Sequence, residues 1–320
     1  MKFLFALLMA LPIMVSAQEI PRDTSFTVWG TFQKERKARP YIQIAQPAKL
    51  KGVKSRENVV YSTLGNRKLL ADVYYPRKKS KKGYPGVVMI FGGGWRSGDK
   101  SQNVPLAQQL AAKGYVAVTI EYRLSLEAPY PAAVQDIKTA IRWLRAHARD
   151  YGLDTTKIAT LGMSAGGQLA TLAGTTNGFE KYEGVGGYPE RSSDVQAIVN
   201  IDGTLSFHHS ESVEGKASMD FLGGTYEQKR EVWEEASPLD HAGKNTPPII
   251  FINSSLPRFH AGRDDMIKIL DQHGIYHEQH TLPDTPHPFW FFHPWFEPLV
   301  NYTVGFLDKV FDQTKGNSHK

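Results

Sequence analysis

Cysteine is absent from this 320-residue chain. The protein must therefore be stable without disulfides, even if it is exported to an oxidising compartment, and it cannot carry a lipid on an N-terminal cysteine. Beyond residue 17, no apolar run approaches the roughly 20 residues that a membrane-spanning helix needs. Internal repeats and nucleic-acid-binding motifs are also absent. These absences exclude a lipoprotein, a multi-spanning membrane protein and a repeat protein.

The N-terminal residues have the features of an export signal. Lys2 supplies a positive charge, Phe3–Val15 is apolar except for Pro12, and the small residues Ser16 and Ala17 suit cleavage after Ala17. A membrane anchor is the alternative, but the apolar run is shorter than a spanning helix requires. We therefore expect a signal peptide over residues 1–17 and a periplasmic or secreted protein without a membrane span after cleavage. A loosely packed N-terminal arm with one or two strands is predicted over residues 18–54.

Positive charge exceeds negative charge, giving a formal net charge of +6. Much of the excess lies in three short runs, Lys34–Arg39, Lys49–Arg56 and Arg77–Lys82. Such runs are typical of solvated surface, but they can also attract an anionic partner such as an acidic polysaccharide. Export and the missing motifs argue against nucleic acid as that partner. The sequence does not predict an oligomeric state.

Strands and helices alternate along the chain, which predicts a mostly parallel sheet covered by helices on both faces. Gly86–Phe91 is a continuous apolar run, as expected of a buried strand. Gly65 and Asn66 mark a hairpin turn between two β-rich runs. Strands are predicted over residues 58–63, 68–75, 86–91, 115–121, 157–161, 195–201, 249–253 and 276–282. Helices are predicted over residues 101–113, 132–149, 165–173, 263–273 and 302–311.

The segment Gly162-Met163-Ser164-Ala165-Gly166 is a G-x-S-x-G motif. It lies between a predicted strand and a predicted helix of small residues, which is the context that a nucleophile on a sharp turn requires. Glycine on both sides avoids side-chain clashes at such a turn. The motif therefore predicts Ser164 as a nucleophile whose hydroxyl is lifted out of the sheet.

A second glycine-rich segment, Phe91-Gly92-Gly93-Gly94-Trp95, directly follows a buried strand. Without side chains, the backbone N–H groups of such a loop can approach a substrate oxygen. We expect the N–H of Gly93 or Gly94 to form an oxyanion hole together with the N–H of Ala165.

These motifs together resemble the esterase and lipase branch of the α/β-hydrolases that carries an HGGGW-type loop. The order and spacing of several segments also match that branch: Glu121-Tyr122-Arg123-Leu124, Pro129-Tyr130-Pro131-Ala132-Ala133, Asp136 and Trp143-Leu144. Trp95-Arg96-Ser97-Gly98-Asp99 is similar to the subgroup that contains bacterial feruloyl and acetyl esterases, and the C-terminal region resembles pectin methylesterases of this fold. The resemblance implies an α/β-hydrolase fold, with the catalytic domain expected over residues 55–314 and a flexible tail over 315–320. Phe91 departs from the pattern, because the family usually has histidine there.

The resemblance also implies where the catalytic histidine lies, since this family places it in the loop after the last strand. That loop contains His287 here, so His287 is predicted as the base that exchanges a proton with Ser164. His280, within the preceding strand, and His293, near the next helix, are the alternatives.

Enzymes of this family also use a carboxylate that orients the histidine, and here the sequence departs from the family pattern. The usual position, after the strand over 249–253, holds Ser255 and no carboxylate. Another branch of the fold uses the end of the preceding strand, where Asp202 stands, so Asp202 is the predicted acid. Asp264, Asp265 and Asp284 remain alternatives.

The prediction of the substrate rests on side chains expected near the catalytic residues. Trp95 and the basic side chains Arg258, His260 and Arg263 are candidate substrate-binding residues, because ligands of α/β sheets bind at the carboxyl edge and arginine suits carboxylates. The aromatic run over residues 289–296 is typical of core packing or of a sugar-stacking cleft.

We predict an acyl-enzyme mechanism that needs no metal or organic cofactor. The expected substrate is a polysaccharide ester, with pectin (galacturonate methyl ester) preferred. Acetyl-xylan or feruloyl esterase activity is one alternative. A catalytically inactive carbohydrate-binding protein of the same fold is the other.

Overall fold

An eight-stranded sheet forms the centre of the protein in a computed structural model, which describes residues 23–213 and 215–311. The predicted signal peptide and the predicted tail lie outside these residues. The described strands are β1 (Gln43–Ile44), β2 (Val53–Leu64), β3 (Arg67–Pro76), β4 (Tyr84–Ile90), β5 (Val116–Ile120), β6 (Leu153–Met163), β7 (Ala197–Ile201), β8 (Ile249–Asn253), β9 (His277–Thr281) and β10 (Phe292–His293). The large sheet has the order β2-β3-β5-β4-β6-β7-β8-β9. β2 and β3 are antiparallel to their neighbours, and all other pairs are parallel.

Helices cover both faces of this sheet. The described helices are α1 (Val28–Glu35), α2 (Val104–Ala112), α3 (Ala132–Ala146), α4 (Ala148–Tyr151), α5 (Ala165–Thr175), α6 (Lys216–Leu222), α7 (Arg230–Glu235), α8 (Arg263–Gln272) and α9 (Phe296–Val310). Successive side chains of a strand point to opposite faces. In β4, Val88 and Ile90 accordingly join the core beneath α3 and α5, whereas Val87 and Met89 join the core beneath α2 and α9. The predicted mostly parallel sheet with helices on both faces is confirmed.

The predicted strands and helices are all present, with shifted ends. The helix predicted from Tyr302 begins at Phe296, six residues earlier. Helices α1, α6 and α7, which have only eight, seven and six residues, are not among the predicted helices. None of the helices within residues 23–213 and 215–311 is long and apolar enough to cross a membrane.

The described part of the N-terminal arm is packed rather than loose. Phe26, Val28 and Phe32 lie against the core beneath α2 and α9, and Ile42 is buried in it. β1 pairs with β10 near the other end of the chain, which ties the arm to the aromatic run. The boundary expected at residue 54 falls inside β2, so the arm is continuous with the sheet.

The aromatic run over residues 289–296 is mostly interior. Phe289, Trp290, Phe291 and Phe292 are buried in the core beneath α2 and α9. This agrees with core packing rather than with a sugar-stacking cleft, since buried rings cannot present their faces to a ligand.

Candidate active site

The turn between β6 and α5 holds Ser164 in an unusual backbone conformation, with φ 54° and ψ −124°. The turn is tight enough to require glycine on both sides. A Cβ on Gly162 would lie 1.9 Å from the carbonyl oxygen of Gly166, and a Cβ on Gly166 would lie 2.2 Å from that of Ile90. The Ser164 N–H donates to the carbonyl of Ile201 at the end of β7 (2.8 Å), which fixes the turn against the sheet.

His287 lies in the loop after β9, within hydrogen-bond distance of this serine. Its Nε2 is 2.8 Å from Ser164 Oγ. The Phe259 ring stacks on the imidazole, with ring centroids 3.4 Å apart, and the edge of Trp290 packs against it. Two aromatic neighbours therefore hold the imidazole in the orientation that faces the hydroxyl.

The two other candidate histidines lie elsewhere. His280 stacks on Tyr302 and bonds Glu278. His293 bonds the carboxylate of Glu297.

Asp202 occupies the other side of the imidazole. Its Oδ2 is 2.9 Å from His287 Nδ1, and its side chain is fully buried. Its Oδ1 accepts the backbone N–H of Ser254 at 2.8 Å. Gly203 follows because a Cβ there would lie 2.4 Å from the carbonyl carbon of Gly167 in α5. Both carboxylate oxygens of Asp202 therefore have hydrogen-bond partners, which fixes the carboxylate in a position to orient His287.

The other candidate acids bind different partners. Asp264 pairs with Arg263, and Asp284 pairs with Arg39. Asp265 pairs with His209 and Lys268. Ser164, Asp202 and His287 follow β6, β7 and β9, so they meet at the carboxyl edge where ligands of such sheets bind.

The glycine loop after β4 runs alongside the Ser164 turn. A Cβ on Gly92 would lie 2.7 Å from the carbonyl oxygen of Met163, and one on Gly93 would lie 2.1 Å from that of Ser97. Within residues 23–213 and 215–311, the N–H groups of Gly93, Gly94 and Ala165 have no hydrogen-bond acceptor. These donors are available to an external oxygen, as an oxyanion hole requires.

A cavity of about 160 Å³ opens directly in front of Ser164. Its walls are formed by Gly94, Trp95, Ser164, Ala165, Asp202, Thr204, Val213, Arg258 and Phe259. Gly94, rather than Gly93, lines the cavity, so the Gly94 N–H is the better placed of the two predicted donors. In the part of the chain that the structure describes, no cluster of three or more potential metal-ligating side chains is found.

Comparisons with known proteins agree with this geometry. Residues 71–268 match the model of the BD-FAE family. The chain belongs to the BD-FAE family. Esterase LipC of Mycobacterium tuberculosis is 34% identical over 193 residues, which cover 58% of this chain and 47% of LipC. The chain spans about half the length of the curated relatives it matches.

Solved structures extend the BD-FAE comparison to the fold. A truncated carbohydrate esterase from gut microbiota has a TM-score of 0.68 at 26% identity, covering 82% of this chain and 99% of that one. A bifunctional GH43-CE protein of Bacteroides eggerthii has a TM-score of 0.70 at 28% identity, covering 80% of this chain and 38% of that one. The predicted α/β-hydrolase fold is confirmed, and the chain resembles carbohydrate esterases.

Two of the predicted substrate-binding residues of this BD-FAE protein line the cavity. Trp95 is buried in its wall, where its Nε1 donates to Gln168 Oε1 (2.8 Å) and its ring stacks on Phe221. Arg258 is exposed at the mouth, with its guanidinium 4.4 Å from the centroid of the Phe259 ring. Among the described residues, Arg258 has no carboxylate partner, so its charge is available to a ligand.

The other two predicted substrate-binding residues, Arg263 and His260, do not line this cavity. Arg263 turns inward, where it donates to Asn253 Oδ1 (3.0 Å) and Asp264 Oδ1 (2.8 Å). It braces the residue beside Ser254 instead of facing the cavity. His260 also lies outside the cavity lining. Burial lowers the pKa of His260, and the charge of Arg263 lowers this pKa further, so His260 is neutral near pH 7.

Phe91, at the position where the resemblance implies histidine, stabilises the start of the glycine loop through other contacts. Its ring stacks on Tyr122 with centroids 4.5 Å apart, and the Tyr122 hydroxyl donates to the Phe91 carbonyl oxygen at 3.0 Å. Burial raises the pKa of Tyr122, so the hydroxyl remains a donor. This end of the glycine loop is therefore held without a histidine.

Sequence reasoning missed Phe259 and Ser254, which hold the histidine and the aspartate. Both follow β8, in the segment where the family pattern predicted an acid. No sequence signal distinguishes them, since an aromatic residue and a backbone N–H act here only through their positions.

Replacing Gly93 with alanine is expected to lower kcat roughly 10²–10³-fold, the usual effect of losing an oxyanion donor. The new Cβ would lie 2.1 Å from the Ser97 carbonyl oxygen, so the loop that carries the Gly94 N–H must shift from its position beside Ser164. Gly178→Ala is the matched control, because Gly178 also has positive φ but open space around it. Steady-state kinetics on p-nitrophenyl acetate would check this, and equal rates in both variants would contradict it.

Proposed function

We propose that this BD-FAE protein hydrolyses carboxylic esters through an acyl-enzyme. The observation that supports this is the continuous hydrogen-bonded chain from Ser164 through His287 to Asp202. Ser164 Oγ attacks the ester carbonyl carbon while His287 Nε2 takes its proton. Asp202 stabilises the resulting imidazolium, and the N–H groups of Gly94 and Ala165 bind the oxyanion.

The proton that His287 accepts from Ser164 is then passed to the leaving group. His287 gives its proton to the leaving alcohol oxygen as the carbon–oxygen bond breaks, which leaves the acyl group on Ser164. Water then attacks the acyl carbon while His287 accepts its proton. His287 returns that proton to Ser164 Oγ as the bond between the acyl carbon and Oγ breaks, and the carboxylic acid departs. The relatives support this proposal, because LipC is named an esterase and the two similar structures are named as carbohydrate esterase or contain a CE unit.

The size of the cavity favours a small group on one side of the ester. Sites for drug-sized ligands occupy roughly 300–1,000 Å³, whereas this one measures about 160 Å³. A methyl or acetyl group fits such a space better than a feruloyl ring does. The unpaired Arg258 at the mouth favours a polymer that carries carboxylates. The preferred substrate is therefore the galacturonate methyl ester of pectin, with a neighbouring uronate bound by Arg258.

The deciding experiment compares methanol and acetate release from methyl-esterified pectin and from acetylated xylan, with the Ser164→Ala variant as the blank. Methanol from pectin supports the proposal. Acetate from xylan, with no methanol from pectin, would overturn the uronate assignment while keeping the esterase mechanism.

Arg258→Gln is expected to raise KM for partly esterified pectin about tenfold relative to KM for p-nitrophenyl acetate, since a charge-assisted hydrogen bond is lost. Arg191→Gln is the control, because Arg191 is an exposed arginine whose one ion pair within residues 23–213 and 215–311 is with the adjacent Glu190. An unchanged ratio in Arg258→Gln would argue against carboxylate recognition at the mouth.

Export remains a prediction, because the proposed signal peptide over residues 1–17 lies outside the described residues. It is consistent with a substrate found outside the cell, and it predicts that the exported protein begins at Gln18.

A further inference from the structure

A second cavity in the described residues lies far from Ser164. It has a volume of about 520 Å³. Tyr84, the first residue of β4, and Gly114, just before β5, are among its lining residues. It therefore lies at the amino edge of the parallel strands, whereas Ser164 follows the carboxyl end of β6. The length of a seven-residue strand, roughly 20 Å, separates the two sites.

Four cations and no carboxylate line this cavity, namely Lys51, Arg77, Lys78 and Lys113. All four are exposed. None of them forms an ion pair with a residue in 23–213 or 215–311, although many other basic residues of the protein do. Unpaired cations around a concave surface favour an anionic ligand.

The fold brings two separate basic runs together at this cavity. The Arg77 N–H donates to the Gly52 carbonyl oxygen (2.7 Å), which joins the end of β3 to the start of β2. The Tyr84 hydroxyl donates to the Lys78 carbonyl oxygen (2.7 Å), which fixes the second run at the rim. The positive charges are thus positioned by backbone contacts rather than carried on a free tail.

Charge is concentrated here rather than spread over the surface. Residues 49–56, 77–82 and 113 hold ten Lys and Arg and no Asp or Glu. Ten exceeds the formal net charge of +6, so the rest of the chain is net negative. An ordinary solvated surface intersperses charges of both signs, whereas these three segments carry positive charge alone.

We infer that this cavity, the basic edge site, binds an acidic polysaccharide and holds the polymer on the protein while Ser164 acts elsewhere on it. The site is too large for a single inorganic anion. None of the large exposed apolar side chains of the described residues lines it, so it lacks the apolar anchor of a membrane-binding surface. The choice of a uronate polymer rests on the proposed function.

The test uses fully de-esterified polygalacturonate, which contains no ester to hydrolyse. Binding is measured by calorimetry on the whole protein and on a variant with Lys51→Gln, Arg77→Gln, Lys78→Gln and Lys113→Gln. The control variant carries Lys34→Gln, Lys37→Gln, Lys229→Gln and Lys244→Gln, four exposed cations outside the cavity. Both variants lose the same net charge.

The basic edge variant is expected to bind at least about tenfold more weakly than the protein itself, and the control variant within about twofold. Binding should also weaken as NaCl is raised from about 0.05 M to about 1 M, where the screening length is ~3 Å. Equal weakening in both variants would overturn the site, because net charge alone would then explain binding. Preference for anionic phospholipid vesicles or for single-stranded DNA would overturn the choice of polysaccharide.

The two proposals fail separately in this design. Binding without hydrolysis of any ester would refute the esterase mechanism and leave the basic edge site. Normal release of methanol or acetate, with no polygalacturonate binding that depends on the four cations, would refute the basic edge site alone.

Discussion

Replacing Ser164 with alanine is expected to lower kcat for ester hydrolysis roughly 10⁶-fold, as removal of the nucleophile does in other serine hydrolases. The hydroxyl is the only group at this turn that can form the acyl-enzyme, and alanine leaves the glycines on either side unchanged. The fold should persist, because the N–H of residue 164 still donates to the Ile201 carbonyl. Kinetics on p-nitrophenyl acetate and thermal unfolding would measure the two effects separately.

A fluorophosphonate label tests directly whether Ser164 is the nucleophile. The label should attach to Ser164 in the unaltered protein and to no residue in Ser164→Ala. Ser192→Ala is a suitable control, since the Ser192 hydroxyl accepts the Asp194 N–H in an exposed loop away from the cavity. If the unaltered protein takes no label and hydrolyses no ester, the esterase mechanism is refuted and the inactive alternative is favoured.

Asp202→Asn is expected to lower kcat roughly 10⁴-fold, the effect seen when a triad aspartate becomes an amide. The hydrogen bonds of Asp202 explain why kcat should decrease. Because Oδ1 accepts the Ser254 N–H, the amide oxygen of asparagine should take that position. The amide NH₂ then faces His287 Nδ1, which must become an acceptor. The proton moves to Nε2, so the imidazole can no longer accept the proton of Ser164.

The alternative acids provide matched controls for this experiment. Asp264→Asn and Asp284→Asn make the same chemical change on carboxylates that are 68% and 83% exposed and pair with arginines. Both variants should keep rates close to those of the unaltered protein. A large loss in either, with Asp202→Asn remaining active, would show that the acid had been assigned to the wrong strand.

The shift of the acid from β8 to β7 has a structural basis. β7 and β8 are neighbours in the sheet, so carboxylates after either strand can reach a histidine in the loop after β9. Here the residues after β8 contribute the Ser254 N–H and the Phe259 ring, which hold Asp202 and His287. The segment therefore supports the triad without supplying its acid.

The sequence by itself determined the features that depend on local backbone geometry. A G-x-S-x-G turn between a strand and a helix admits few conformations, so Ser164 could be placed from five residues. The order of strands and helices followed from apolar periodicity. His287 followed from the resemblance to the α/β-hydrolases, because that family places its catalytic histidine in the loop after the last strand.

Only the tertiary structure decided which distant groups meet. Asp202 and His287 are 85 residues apart, and the pairing of their side chains depends on strand order and loop path, which no local pattern records. The same is true of Arg263, which turned inward to Asn253, and of the two basic runs that meet at Arg77 and Gly52. Such contacts arise from the packing of whole elements, and one sequence contains no local signal for them.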